Sequence, residues 1–449
     1  MRDSPEGGLV KLLFIHQNFP GQYLRLVSHL RDQGGHVIYG VGDAENIKRR
    51  GTVHGITTIA YPVPRGAGEG THHYLKSTEA AVRRGQSVAR SLLALKQKGF
   101  VPDVICAHPG WGEALFLRDV YPDVPVILFC EFYFRSGEGD VGFDPEFPLS
   151  EDKSFGIRIR NAPQILPLMD ASACVSPTQW QASRYPAVVR PAIRVIHEGV
   201  DTAFMCPDSS AVLQLQPTNI PGESRVTGFP PPQEAGRQGE PEPRGPALTL
   251  SAGDKIITYV ARNLEPYRGY HIFMRSLPAL QRLHPDAHIL VVGGDGVSYS
   301  PPPEDGRTYK ARYLDELRDR LDLSRIHFLG KIPYAALRAL FRISSAHVYW
   351  TYPFVLSWST LEAMACGALL IASSTEPVRE VVTDGENGLL VGFFDTQALV
   401  ERMDAALRTP GAFAALRDNA RRTIVERFTL AACLERHVNL LYEMRAGIQ

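Results

Sequence analysis

The chain is poor in the features that mark several large classes of protein. It has 6 cysteines in 449 residues, and none of Cys106, Cys130, Cys174, Cys206, Cys366 and Cys433 forms a C-x-x-C pair or stands at ligand spacing from a histidine. That spacing speaks against a zinc site. Several of the thiols lie in apolar strand-like runs, as buried free cysteines do, so a reducing cytoplasm is the expected location. A surplus of either charge is missing too. Lys+Arg and Asp+Glu stand at 48 each, so no basic surface is expected for nucleic acid or an anionic membrane. Long apolar runs are absent. The opening "MRDSPEGGLVKLLFIHQNF" has a charged leader and a short apolar run, which reads as a first β-strand rather than a signal peptide or a transmembrane segment.

What is present is ordinary for a soluble α/β protein: 44% hydrophobic and 21% charged residues, in a chain long enough for two cores. The order of elements is strand then helix, repeatedly. "LVKLLFIHQNFPGQYLRLVSHLRDQGGHVIYGVG" predicts a strand near 10–16, a helix near 21–33 and a strand at 36–41, and "PDVICAHPGWGEALFLRDVYPDVPVILFCEF" repeats that order. It restarts at "DKIITYVARNLEPYRGYHIFMRSLPALQRLHPDAHILVVGG", with strands near 255–261 and 287–293 around a helix near 269–283. Near-continuous apolar strands alternating with helices predict parallel, doubly wound sheets. The pattern occurs twice, so two Rossmann-like domains facing across a cleft are expected: an N-terminal one over 1–208 and a C-terminal one over 251–429. Between them, 209–250 carries eight prolines among glycines and charges and reads as a mobile insertion or linker. The amphipathic segment 430–449 is expected to pack back on the N-terminal domain.

In open α/β sheets ligands meet the carboxyl ends of strands, where loops lead into helix N-termini. Four such loops hold candidate residues. "HQNFPGQ" has Gly21 opening a helix whose N–H groups suit a phosphate. "AHPGWGEA" places His108 directly after a strand. "VARNLEPYRGYHIF" encloses a βα loop between Arg262 and Arg268, and paired guanidinium groups match a diphosphate. "LSWSTLE" runs into a helix whose first donors, at Trp358 and Ser359, suit phosphate, with Glu362 placed in the first turn where a carboxylate accepts ribose hydroxyls. Glu362 is the one acid in an apolar stretch from Thr351 to Ser374, so it needs a partner. The segment 130–147, "CEFYFRSGEGDVGFDPEF", mixes aromatics with Glu131, Arg135, Glu138, Asp140 and Asp144. It suits a polar, cationic or ring-shaped small molecule.

"RNLEPYRG", "VVGGDG", "IHFLGKIP", "LEAMACGALLIAS" followed by "PVREVVTDGENGLLV", and upstream "VIHEGVDT", resemble family 4 glycosyltransferases of the GT-B fold. The likeness covers nearly all the chain except the proline-rich segment. It implies two Rossmann-like domains, a nucleoside-diphosphate sugar (UDP- or GDP-linked) in the cleft, no cofactor or metal, and retention of anomeric configuration. By position it implies that Arg262 and Arg268 bind the donor diphosphate, with Arg268 where the family usually has Lys. It also implies Gly21 in the first loop, Glu362 on the ribose as the second acid of an E-x7-E motif, and Gly330, Lys331 and Ile332 beside the nucleobase. His108 would meet the donor sugar near the reacting carbon.

One departure matters. The first acid of that motif falls at Phe354, and the run continues Val355, Leu356, Ser357 without the usual glycines. The expectation is a donor sugar modified or deoxygenated on that edge, or one gripped by backbone groups. The acceptor is expected to be a small, soluble molecule, as in natural-product biosynthesis, met by Asn18, Phe19, Tyr133, Arg135 and Asp140. A GT-B nucleotide-sugar epimerase and a non-catalytic nucleotide-sugar-binding protein are the alternatives. An NAD-dependent dehydrogenase is disfavoured, because "VVGGDGVSYS" lacks G-x-G-x-x-G opening into a helix.

Overall fold

The apolar run "VKLLFI" forms β1 (Val10–Ile15), buried on both faces along most of its length. Parallel neighbours follow at β2 (His36–Asp43), β3 (Thr57–Tyr61), β4 (Val104–Ala107), β5 (Val126–Phe129), β6 (Ala173–Ser176) and β7 (Ile193–Val195). They form one seven-stranded sheet, in the order β3-β2-β1-β4-β5-β6-β7, with every pairing parallel. The computed structural model describes residues 9–137, 139–230 and 242–447. Four-residue strands such as "VICA" and "VILF" are fully buried because helices cover both faces of the sheet. On one face the helix Lys76–Gln97 buries Ala81, Gly85, Val88 and Leu92, a spacing that keeps one stripe of a helix inward. On the other lie the helix Leu24–Gln33 and the C-terminal helix Leu430–Ala446, whose Leu434, Leu440 and Leu441 join the core of β1 and β4.

This unit runs to Gly199 and takes back the chain from Leu430; the second unit is Val200–Thr429. Its sheet holds β11 (Ile256–Asn263), β12 (His288–Gly294), β13 (Ile326–Gly330), β14 (Ala346–Tyr349), β15 (Leu370–Ser373) and β16 (Leu389–Val391). The order is β13-β12-β11-β14-β15-β16, again wholly parallel. Each unit therefore reverses its strand order once, between β1 and β4 in the first and between β11 and β14 in the second. Those reversals open a crevice at the carboxyl ends of the strands.

The proline-rich segment is where the structure departs from expectation. Three strands, β8 (Val212–Pro217), β9 (Ser224–Thr227) and β10 (Leu248–Ser251), form an antiparallel sheet of the second unit. Leu213, Leu215 and Leu250 are buried in the same core as β12. The alternation in "VLQLQP" is a half-buried strand pattern that the flanking prolines hide when the segment is read by composition. Of the expected insertion, 231–241 lies outside the described residues. Among the described residues no helix is long and apolar enough to cross a membrane.

Candidate functional site

In the first unit β1 and β4 deliver adjacent loops. His16, one residue past β1, is buried, and its Nδ1 accepts the Asn18 N–H at 2.9 Å. Gly21 has φ +52° and passes so close to the His16 ring that a Cβ there would stand 2.5 Å from Cε1. Only glycine fits this turn on both counts. Gly21 opens a 3-10 turn, Gly21–Tyr23, ahead of the helix Leu24–Gln33. His108, one residue past β4, lies 5.3 Å from the His16 ring and stacks on Trp111 at 4.2 Å. Its Nδ1 accepts the Gly110 N–H at 3.1 Å, and its Nε2 faces Glu131 Oε2 at 3.1 Å. Just beyond, Glu113 is buried with its Oε1 accepting the Tyr61 hydroxyl at 2.8 Å, and burial pushes its carboxyl pKa up despite Arg84 nearby.

The residues expected to meet an acceptor divide. Asn18 and Tyr133 are half-buried in these loops. Phe19 is not available: it is 1% exposed and lies under Gly40, in the core on the sheet's second face. Arg135 spends its guanidinium on the carbonyls of Arg184 and Tyr185 at the end of the helix Gln179–Arg184, so it holds a helix end together. Asp140 is buried. Glu138 lies outside the described residues.

In the second unit the loops after β11 and β14 converge through Arg268. Its residue is 8% exposed, and Nη1 donates to Tyr349 Oη at 3.2 Å, Thr351 Oγ1 at 3.1 Å and the Val355 carbonyl at 2.9 Å. The guanidinium carbon stands 5.5 Å and 5.6 Å from the ring centres of Tyr299 and Phe354. All three acceptors are neutral, and among the described residues no carboxylate pairs with this buried charge. Gly269, with φ +63°, lets the next turn begin against Trp350, whose Cδ1 a Cβ would meet at 2.3 Å. Arg262 is exposed at the end of β11, and no hydrogen bond or ion pair among the described residues engages its side chain.

Sequence reasoning passed over Glu265, three residues before Arg268. It is fully buried, and Oε2 accepts the N–H groups of Ser298, Tyr299 and Ser300 at 2.9, 3.0 and 2.9 Å. That clamp fixes Tyr299 beside Arg268. An acid inside a strand-to-turn run is the signal that could have found it.

The segment after β14 needs two corrections. Phe354 and Leu356 are 3% and 5% exposed, so neither lies open to a sugar. Phe354 packs against Tyr299 at 4.6 Å and Tyr267 at 5.5 Å, while Leu356 belongs to the core. An aromatic at 354 thus builds the wall that holds Arg268. Val355 contributes its carbonyl to that arginine, and the Ser357 N–H goes to Tyr349 Oη at 2.9 Å. Ser357 caps the helix Trp358–Ala365; Trp358 is exposed, and the Ser359 N–H is directed at Ser357 Oγ over 3.4 Å.

Because the helix starts at Trp358, Glu362 falls in its second turn, not its first. It is buried, and Oε1 accepts the Tyr334 hydroxyl at 2.7 Å. A protein hydroxyl is therefore one answer to the acid in an apolar stretch. Tyr334 follows Gly330, Lys331 and Ile332, which end β13 and start the next turn; Lys331 is exposed and Ile332 half-buried against the core. The Tyr334 ring stacks on Phe204 at 5.3 Å, nearly parallel, and remains 44% exposed.

Two doubly wound parallel units, each gathering polar loops at its strand-order reversal, define a protein of the GT-B class. The model for "Glycosyl transferase family 4 group" matches residues 34–205 and that for "Glycosyl transferases group 1" matches 246–423. The chain belongs to the family 4 glycosyltransferases of GT-B fold. Among similar proteins, the phosphatidyl-myo-inositol mannosyltransferase of Mycobacterium leprae is 30% identical over 162 residues, 34% of this chain and 37% of that one. The D-inositol 3-phosphate glycosyltransferase of Corynebacterium urealyticum is 27% identical over 36% of this chain and 37% of its own. The matched stretch thus spans little more than a third of either relative. Among solved structures, sucrose-phosphate synthase of Thermosynechococcus elongatus superposes with a TM-score of 0.69 at 17% identity, over 98% of this chain and 100% of that one. Anabaena HepE, solved with UDP and glucose, gives 0.62 at 17% identity over 97% and 100%. At such identities these two establish the fold alone.

Proposed function

We propose that the protein is a retaining glycosyltransferase that moves a sugar from a UDP- or GDP-linked donor to a small soluble acceptor. The observation that carries this reading is the state of Arg268. Three protein oxygens hold Nη1, while among the described residues no hydrogen bond engages Nε and Nη2. Those two donors share one edge of the guanidinium, the edge that grips a phosphate in a fork. The buried Glu265 charge acts on Arg268 but makes no hydrogen bond to it, and an anionic ligand in contact offsets the remaining cost of burying the cation. Arg262 and the start of the helix Trp358–Ala365 supply further positive potential.

In the reaction the bond from the anomeric carbon to the diphosphate breaks as the acceptor attacks. Negative charge grows on the departing diphosphate, and Arg268 with Arg262 stabilises it more in the transition state than in the ground state. The arginines supply the neutralising charge, so the reading calls for no metal. The nucleoside belongs beside Gly330, Lys331 and Ile332, with Glu362 on the ribose. As Phe354 serves Arg268, the donor sugar is either held by backbone groups or lacks hydroxyls on that edge. A strong preference for an unmodified hexose, lost when its 3- or 4-hydroxyl is removed, counts against this.

A thermal-shift screen of UDP, GDP and their sugars tests the proposal. A ligand bound only by the folded chain adds about 2.7 kcal/mol of stability at a hundred times its Kd, rising with the logarithm of concentration. No shift with any nucleoside diphosphate at millimolar concentration overturns it.

Tyr334 gives a second test. If its hydroxyl holds the place a ribose takes on Glu362, Tyr334→Phe removes a competitor and UDP or GDP binds more tightly, by about tenfold or more, since a hydrogen bond to a charged group is worth ~1.5–3 kcal/mol. Weaker binding by calorimetry shows instead that the hydroxyl assists the ligand.

A further inference from the structure

The loop after β4 carries a tryptophan that nothing above uses. Trp111 is half-buried, yet it packs against neither of the apolar cores on the two faces of β1 and β4. Its ring neighbours are two histidines instead. His108 stacks on it at 4.2 Å with 23° between the planes, and His16 meets it edge-on at 5.1 Å. The main chain there is tied to the long helix Lys76–Gln97, whose Arg84 donates to the Trp111 carbonyl at 2.7 Å. An indole held in this way, outside both cores and at the carboxyl end of a strand, is a preformed flat surface where such sheets bind ligands.

The groups around it are polar and neutral. Among the described residues no hydrogen bond engages the Trp111 indole N–H, the side-chain amide of Asn18 or the side-chain carbonyl of Gln22, and all three residues are half-buried. Asn18 and Gln22 come from the loop after β1. The Asn18 main-chain N–H donates to His16 at 2.9 Å, and Gln22 Nε2 donates to Glu131 at 3.1 Å. The charges nearby face one another: Glu131 stands against His108 at 3.1 Å, and Glu113 against Arg84 at 3.6 Å. A donor, an acceptor and an amide that is both, beside an aromatic face, match a ring with hydroxyls on its rim and C–H groups on its face. Those C–H groups are slightly positive and meet the negative face of the indole.

We propose that Trp111 is the floor of the acceptor site and that the acceptor is a neutral saccharide or cyclitol, one ring of which lies flat on the indole. The assignment rests on the transferase reading above. That reading gives the nucleoside diphosphate to Arg268 and its neighbours in the second unit, so the ring site of the first unit falls to the other substrate. Of the residues expected from the sequence to meet the acceptor, Asn18 keeps that role, and Trp111 and Gln22 are added to it.

The experiment uses the full chain and titrates binding by saturation-transfer NMR, with and without UDP or GDP. The probes are methyl α-D-glucopyranoside, methyl α-D-mannopyranoside and myo-inositol. Glycerol, a polyol without a ring, and cyclohexanol, a ring with one hydroxyl, are the controls. At least one of the three ring polyols is expected to bind at millimolar concentration, and neither control. Trp111→Ala is expected to weaken that binding about tenfold or more, and Trp111→Phe, which keeps a smaller aromatic face, by less. In both variants the thermal shift with UDP or GDP stays as in the wild type. A wild type that binds UDP or GDP but no ring polyol overturns the proposal and leaves the donor reading standing. Controls that bind as well as the ring polyols overturn it too, as does binding unchanged in Trp111→Ala; where that variant does not fold, unchanged binding in Trp111→Phe decides. If Trp111→Ala loses only the extra shift that UDP-glucose gives over UDP, the indole serves the donor sugar and the acceptor assignment falls. A wild type that binds no nucleoside diphosphate removes both readings.

Discussion

Replacing Arg268 with Ala is expected to lower kcat for sugar transfer about a hundredfold or more. Removing one preorganised donor from a developing anion costs roughly 3 kcal/mol of barrier, and 1.4 kcal/mol is a factor of ten. The side chain also ties Tyr349, Thr351 and the Val355 carbonyl together, so its loss loosens the loop ahead of the helix Trp358–Ala365. Arg268→Lys separates the two effects. It keeps the charge but offers no planar fork, so it is expected to recover part of the rate and to bind UDP or GDP more weakly than the wild type. The measurement is initial rate against donor concentration for the three proteins, with unfolding temperature as the control. Near-normal turnover in Arg268→Ala would remove the diphosphate assignment.

Acidification is expected to destabilise the folded chain steeply between pH 6.5 and 4. Burial lowers the pKa of four histidines: His197 and His347 to about 3, His327 and His437 to about 4. In the unfolded chain each titrates near 6.5. Between these values the unfolded state binds more protons than the folded one, so stability is full above about pH 6.5 and falls as pH drops. Each group loses about 1.4 kcal/mol per pH unit below 6.5, hence roughly 2 kcal/mol at pH 5. His197 and His437 belong to the first unit, His327 and His347 to the second. Each unit therefore loses on the order of 4 kcal/mol, about 10 °C of unfolding temperature. The buried Glu113, whose folded pKa is raised, works in the opposite sense in the first unit by binding its proton more readily when folded. Calorimetric scans at pH 7.5 and 5.0 check this, and unchanged midpoints would show that these rings accept protons without unfolding.

How much was legible in the residues depended on range. The alternation of strands and helices, and the loops that carry Gly21, His108, Arg262, Arg268 and Ser357, are local patterns. They emerged from periodicity and turn residues over a dozen positions at a time. Sheet order was not written there, because neighbours such as β1 and β4 are some ninety residues apart and pair through cooperative burial. The proline-rich segment misled for a related reason: its composition hid the alternation of Leu213 and Leu215, whose burial depends on a core supplied by strands far along the chain.

The site divided in the same way. Charge and loop position marked the two arginines. That Phe354 and Leu356 point into packing, that Arg135 closes a helix end and that Phe19 lies under Gly40 depend on neighbours distant in sequence. So do the partners of the acids, Tyr334 for Glu362 and His108 for Glu131. The amino-acid sequence by itself determined the two doubly wound units and the family, since local periodicity and short motifs need only near neighbours. The tertiary structure alone decided which polar side chains stay open and which are consumed by the fold. A buried charge or hydroxyl takes whatever partner the packing brings within 3 Å or so, and that partner is not chosen by proximity along the chain.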